Sequence, residues 1–396
     1  MSILTTGHVI RSITDRFGIP REKIAFLIHS LAGSVVILVP ISSWVAAITA
    51  QLSQAGVAPI GSKGAHIAAD PFFIYLQTLP FMFYSFLIIG SVLFIVHKNI
   101  SFGPMHACEQ LAHKDSTIAP QHEQSVSKLI DLAIPLATLL LGMIVGLLYA
   151  GEFYIFGGNR SLVEALKHND NPFLGMFTVG AIALAIGILL AIKRGTYSVS
   201  KLPRTILDGT HLMLGAILMI FFSSTLATML KGDVMTGQYL ADTLIGSVST
   251  MLLPALFFIV SLICALVTGS AWGTFSLMLS IAVPMVASLF GTLPVAPENA
   301  VLLLPVLGAI FSGAVCGDHI SPISETTIMS AGSTDIQPFE HTYTQRPYAL
   351  PAAICSLLAF VASGFLIQKS ILLAIAAPLI GGLIVCCATL KMLSKS

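Results

Sequence analysis

The sequence predicts an all-α polytopic membrane protein: about ten spans with discontinuous helices and inverted repeats of the ion-transporter type, in one transmembrane transport domain. Three observations lead there. Of 396 residues, 56% are hydrophobic and only 9% charged, against about 25% charged in an ordinary soluble domain. Apolar runs of about 20 residues, the length that crosses roughly 30 Å of hydrocarbon, recur from end to end. Several of these runs carry proline, glycine and hydroxyls at mid-span, where a plain lipid-facing helix has none.

Hydropathy and helical periodicity place spans near 24–50, 71–97, 129–151, 172–193, 208–230, 251–268, 271–290, 300–330, 347–366 and 371–389. With the N-terminus in the cytoplasm, Arg11, Arg16, Arg21, Lys23, Lys98, Lys114, Lys128, Lys193, Arg194, Lys201, Arg204, Arg346, Lys391 and Lys395 lie inside. Lys63, Arg160, Lys167, Lys231 and Lys369 lie outside, so 14 of the 19 basic residues follow the positive-inside rule. An even span count then leaves both termini cytoplasmic, in a multi-pass protein of the plasma (inner) membrane. The first 20 residues lack the apolar core and cleavage site of a signal peptide, so the first span is expected to direct insertion.

Net charge is +1 with no long basic or acidic run, which excludes nucleic acid as a partner. The six cysteines form no CxxC pair and lie mostly in apolar segments, as small hydrophobic filler rather than a disulfide framework or zinc site. The expected partners are the lipid bilayer, small monovalent cations and protons. A homo-oligomer is compatible with the sequence.

Three spans are interrupted. Residues 24–50 contain "ILVPISSWV", with Pro40, Ser42 and Ser43 near the middle; 251–290 is interrupted by "TGSAWGT"; 300–330 contains "GDHISPISETT". Such breaks leave backbone amides and carbonyls that hydrocarbon cannot pair, and are tolerated where protein or a watery cavity satisfies them. A proline kink closed by serine back-bonding explains any one of them; three together point to a binding site. Pro40-Ile41-Ser42 and Pro322-Ile323-Ser324 are the same tripeptide, one near each end of the chain. Paired broken helices are the mark of inverted repeats, with halves here at 1–200 and 201–396, and predict that Ser42 and Ser324 approach near the midplane.

A carboxylate at mid-bilayer costs at least about 2.5–3.5 kcal/mol, so Asp318 and Glu325 are the first candidates for function. They are seven residues apart, nominally on one helical face, and Pro322 between them is expected to open the helix so that both face one cavity. Hydroxyls of Ser321, Ser324, Thr326 and Thr327 add neutral oxygens. Carboxylate, hydroxyl and freed carbonyl are hard donors that suit sodium, so Asp318 and Glu325 are the candidate metal ligands, with sodium as cargo. The same carboxylate can instead hold a proton, and that competition couples exchange. The bland alternative is that Asp318 or Glu325 caps a half-helix.

His319 reads as a structural hydrogen-bonding group, while His29 in "FLIHSLAGS" stays open between structure and site. Asp208 and His211 read as interfacial, and Glu152, Asp70 and Asp15 as water-facing. Trp272 reads as packing beside a break.

The stretches "REKIAFLIHSLAGSVVILVPISSW" (21–44), "VTGSAWGTFSLMLSIAVPM" (267–285) and "CGDHISPISETTIMSAG" (316–332) together resemble the NhaC-type sodium/proton antiporters. The resemblance implies an ion-transporter fold with inverted repeats in a bacterial plasma-membrane exchanger that expels sodium against protons and needs no cofactor. Some relatives exchange carboxylates such as malate and lactate. It points to Asp318, Ser321, Pro322, Ser324, Glu325, Thr326 and Thr327 as part of the ion site. Ser270, Trp272, Gly273 and Thr274 match the neighbouring broken-helix motif.

The chain departs from the family twice. Members carry further N-terminal helices ending in an acid-rich motif before the point where this chain begins, and His29 stands where an acidic residue is expected. On that reading the chain lacks a cavity wall, and Ser34, Ser42 and Ser43 are expected to face lipid or a partner subunit.

The leading function is a secondary antiporter exchanging sodium, or another small monovalent cation, for protons. A cation- or proton-coupled organic-anion antiporter is the alternative; it needs a positive group in the cavity, and no lysine or arginine lies in a broken span. An intramembrane aspartyl protease would need two aspartates sharing a proton. Only Asp318 lies deep in a span, so no enzyme is expected.

Overall fold

A computed structural model describes residues 2–40, 42–62, 64–115, 129–161, 165, 172–195, 198–232, 239, 242, 249–290 and 293–394. By compactness the chain divides into two units, one of Met1–Pro40, Ile48–Ala119 and Ala216–Ser396, the other of Ile41–Ala47 and Pro120–Gly215.

In the second unit, α7 (Leu129–Ala150) packs on α8 (Pro172–Lys193). Gly142 permits the approach: a Cβ there would lie 2.8 Å from Val179 Cγ1. Helix α9 (Leu202–Gly232) begins in this unit and exposes Asp208 and His211 in its first turns; Glu152 is exposed after α7.

The first unit opens with α1 (Ser2–Thr14) and α2 (Arg21–Leu38), and α3 (Ser43–Ala55) enters it at Ile48. Two short parallel strands, β1 (Val57–Ala58) and β2 (Ile67–Ala68), precede α4 (Pro71–Thr78), α5 (Phe83–Lys98) and α6 (Gly103–Asp115). The rest is α10 (Leu253–Thr268), α11 (Ala271–Phe290), α12 (Leu303–Ile320), α13 (Glu325–Thr334), α14 (Pro338–Leu366) and α15 (Ile371–Leu393).

The all-helical, multi-pass reading holds. Among the described residues five helices, Thr250–Thr268, Ala271–Phe290, Leu303–Ile320, Pro338–Leu366 and Ile371–Leu393, are long and apolar enough to cross a membrane. The bent pair Pro71–Phe81 and Phe83–Lys98 makes six. The remaining expected spans fall on α2 with α3, α7, α8 and α9.

Two span readings need correction. The 71–97 span is not continuous: it bends by 47° between Phe81 and Phe83. Pro80 has no N–H for the helical ladder, and a 3₁₀ turn over Leu79–Phe81 replaces it. The 347–366 span starts nine residues early, at Pro338, because Pro338 in the first turn and Gln337 at the cap open a helix that runs through Pro347. The three expected interruptions are present. α2 ends at Leu38 and α3 begins at Ser43, Gly269 in the left-handed conformation (φ 66°) separates α10 from α11, and residues 321–324 separate α12 from α13.

Helix α12 is the core of this unit; every residue from Pro305 to His319 is buried. It lies against α10 at backbone distance. A Cβ on Gly313 would sit 2.4 Å from Phe258 O, and one on Gly317 would sit 2.3 Å from Leu262 O. The spacing is four residues on both helices, the small-residue arrangement by which membrane helices pack without a hydrophobic drive. Outside this core the apolar side chains turn outward, as Leu372, Ile380 and Ile384 do on α15.

Candidate functional site

The break at 321–324 builds the site. Ser321 is extended (φ −81°, ψ 127°), the conformation that a following proline favours, so α12 stops at Ile320. Ser324 then caps α13, its Oγ accepting from Thr327 N at 3.0 Å. Neither Asp318 nor Glu325 is the cap. Asp318 is in the last turn of α12, and Glu325 is the first, half-buried residue of α13.

The carbonyls freed by the break already have donors. Gln345 Nε2 donates to His319 O at 2.6 Å and Arg346 Nε to Ile320 O at 3.1 Å, both from α14. Thr327 Oγ1 donates to Ser321 O at 2.8 Å, and Ser321 Oγ donates to Leu266 O of α10 at 2.9 Å. These carbonyls and the hydroxyls of Ser321 and Thr327 therefore hold the break together, while Thr326 and Ser324 also bond to Asp318. Thr326 Oγ1 donates to Asp318 Oδ2. No hydrogen bond or ion pair among the described residues joins Glu325 to Asp318.

Asp318 is 5% exposed, and the imidazoles of His29 and His319 lie beside it. His29 Nε2 lies 3.5 Å from Asp318 Oδ2 and 2.8 Å from Thr326 Oγ1. His29 Nδ1 lies 2.9 Å from His341 Nε2 and 3.0 Å from Gln345 Nε2. His319 stands edge-on to His29, ring centroids 4.9 Å apart, and its Nδ1 is 3.0 Å from the Tyr84 hydroxyl. His29 and Asp318 thus carry the link between α2 and the break. His319 has the structural bond expected of it.

The proton positions follow from Gln345. Its amide must present N–H to His319 O, because a carbonyl there would face a carbonyl. That nitrogen also donates to His29 Nδ1, so the proton of neutral His29 is on Nε2, directed at Thr326. Thr326 passes its own hydrogen to Asp318. The donors in the row from Gln345 through His29 and Thr326 run toward the carboxylate.

The neighbouring break sits beside this one. A Cβ on Gly269 would lie 2.7 Å from Ile323 O. Ser270 Oγ accepts from Gly273 N at 3.1 Å, and Thr274 Oγ1 donates to Ser270 O at 2.9 Å, so both hydroxyls close the start of α11. Trp272 packs edge-on against Phe275, which meets Phe311 of α12 the same way, so the tryptophan is packing as expected.

At the third break Pro40 is exposed, Ser42 is half-buried, and Ile41 and the Ser43 side chain lie outside the described residues. Ser42 and Ser43 belong to the second unit and Ser324 to the first. The expectation for Ser34 fails. It is fully buried, on the inward face of α2 with Phe26, Ser30, Gly33 and Ile37, where packing against other helices covers it.

The sequence model of the Na+/H+ antiporter family matches residues 35–365 of this chain, which takes in all three breaks and Asp318 but not His29. The chain belongs to that family. An uncharacterized protein of Haemophilus influenzae is 30% identical over 91% of this chain and 67% of its own length. The malate-2H(+)/Na(+)-lactate antiporter of Bacillus subtilis is 28% identical over 49% of this chain and 38% of its own. The arginine/ornithine antiporter ArcD of Halobacterium salinarum is 31% identical over 30% of this chain and 23% of its own. The chain thus spans about two thirds of the Haemophilus relative and under half of the other two. No solved structure matches it. Members of this antiporter family are transporters and not enzymes.

Sequence reasoning about this antiporter missed Tyr84, His341 and Gln345. A span that begins at 347 leaves "EHTYTQR" (340–346) outside it. A helix continued back through Pro347 puts His341 and Gln345 four residues apart on one face, and that was the available signal.

Proposed function

We propose that the chain exchanges sodium, or another small monovalent cation, for protons across the plasma membrane, with Asp318 holding either cargo but not both. The observation that carries this is the Asp318 carboxylate, 5% exposed at the end of a broken helix and held by Thr326. Sodium satisfies the carboxylate with hard oxygen contacts from Asp318 and Thr326; a proton satisfies it by neutralisation. Each cargo must leave before the other binds, and the exchange ratio is set there. Glu325, next to Thr326 in the chain and beside the same break, is the second carboxylate able to take part. The halves 1–200 and 201–396 serve as the inverted repeats, and both termini face the cytoplasm, as the basic-residue distribution supports.

Asp318→Asn keeps the shape and hydrogen bonding of the side chain and removes its charge. In everted vesicles, sodium-induced proton movement is expected to vanish while the protein stays inserted. Retention of most activity would remove Asp318 from the mechanism.

A second reading, cation- or proton-coupled exchange of an organic anion of the malate or lactate type, has one observation in its favour. Arg346 reaches the break from α14, with its Nε on Ile320 O and the side chain otherwise exposed, so a positive group does stand beside the break. Malate- or lactate-driven proton movement in the same vesicles, lost in Arg346→Gln, would favour it.

A further inference from the structure

We propose that the pocket between α2 and α12 also binds a divalent transition cation such as Zn2+ or Co2+, held by His29, Asp318 and His319. One ring nitrogen from each histidine and one carboxylate oxygen lie within 4.8 Å of one another. Two ligands about 2.0–2.1 Å from a tetrahedral ion sit about 3.4 Å apart, and His29 Nε2 is 3.5 Å from Asp318 Oδ2. His319 supplies the independent observation: it is 0% exposed, and its Nε2 makes no hydrogen bond.

Two imidazoles and one carboxylate are a borderline donor set. They fit zinc, cobalt and nickel far better than sodium or magnesium, which prefer oxygen throughout. Three protein ligands with one further position also match the open arrangement of non-structural zinc sites.

Both imidazoles have the supporting contact that metal-bound histidines use. With His319 bound through Nε2, its Nδ1–H donates to the Tyr84 oxygen 3.0 Å away; binding His29 through Nε2 moves its proton to Nδ1, which then donates to His341 Nε2 at 2.9 Å while the Gln345 N–H now on Nδ1 turns away. The hydroxyl of Thr326, which now bridges His29 and Asp318, gives way to the ion. The inference goes beyond sodium/proton exchange and shares only Asp318 with it.

The test is titration of the full chain, purified in detergent without sodium, with Co2+, followed by visible d–d absorption. One tightly bound Co2+ per chain in a tetrahedral spectrum, displaced by Zn2+, is expected. His29→Gln and His319→Gln each abolish that spectrum, and Tyr84→Phe weakens binding by about 10–100-fold as loss of a supporting contact does. Thr326→Ala keeps it. Absence of saturable one-to-one binding in the unaltered chain overturns the proposal. So does a spectrum unchanged in both histidine variants, which would assign the ion to exposed histidines such as His106. Because binding is read without a gradient, it fails or holds independently of sodium/proton exchange. Exchange measured in vesicles decides that reading alone.

Discussion

Thr326 donates its hydroxyl hydrogen to Asp318 Oδ2 while its oxygen sits 2.8 Å from His29 Nε2, so one side chain ties the broken helix to α2. Valine has the same shape and neither contact. A hydrogen bond to a charged group contributes about 1.5–3 kcal/mol, so Thr326→Val is expected to lower apparent sodium affinity roughly 10–100-fold. The sodium dependence of proton flux in everted vesicles measures this. A change below about threefold would leave the bond a purely structural one.

Gln345 orients the row of donors. Gln345→Leu leaves His319 O buried without its partner, at about 1–3 kcal/mol, and thermal unfolding in detergent should shift down accordingly. Gln345→Glu keeps the shape but presents a group that accepts rather than donates. Exchange is expected to slow more than stability falls, and comparison of the two variants separates positioning from packing.

His29→Asp replaces an imidazole with the acidic residue that the family resemblance places there. Hard oxygen then takes the place of the imidazole opposite Asp318, and two carboxylates in one buried site resist ionising together without a cation between them. Sodium-dependent exchange is expected to persist while the Co2+ spectrum disappears. Loss of both would show that the imidazole is needed for the fold of the site.

Much of this site was legible and the rest was not, for identifiable reasons. The breaks at 39–42, 269–270 and 321–324 announced themselves through proline, glycine and serine inside apolar runs, and the membrane penalty singled out Asp318. The bend at Pro80 is marked by one proline among phenylalanines and leucines, with Thr78 and Ser85 as its nearest threonine and serine and no glycine or serine run beside it. Asp318 meets His29, which in turn meets His341 and Gln345, and no local spacing connects a histidine on α2 to one more than 300 residues later. Polar residues at 340–346 also depress hydropathy, which hid the first turns of α14. Composition shows that the oxygens of Ser321, Ser324 and Thr327 are present but not which partners they meet: Ser321 and Thr327 bond to carbonyls at the break.

Arg346 lies at the wall of the break and not among the groups around Asp318. For a cation-only exchanger, Arg346→Gln should leave sodium/proton exchange within about twofold, as surface substitutions worth under 0.5 kcal/mol do. A tenfold loss confined to carboxylate-driven flux would instead identify it as an anion-binding group.

The seam between α10 and α12 sets where this chain is free to drift. At Gly313 and Gly317 the wall facing an added methyl is the carbonyl oxygen of Phe258 or Leu262, and main chain cannot be redrawn by altering a neighbouring side chain. At Gly332 and Gly381 an added methyl meets nothing within 4 Å. A saturation library selected for growth in high salt should therefore keep glycine at 313 and 317 in every survivor while 332 and 381 diversify. Compensating mutations elsewhere should rescue neither seam position, so the distance between these two helices is inherited as a fixed quantity while the side chains around it are free to change.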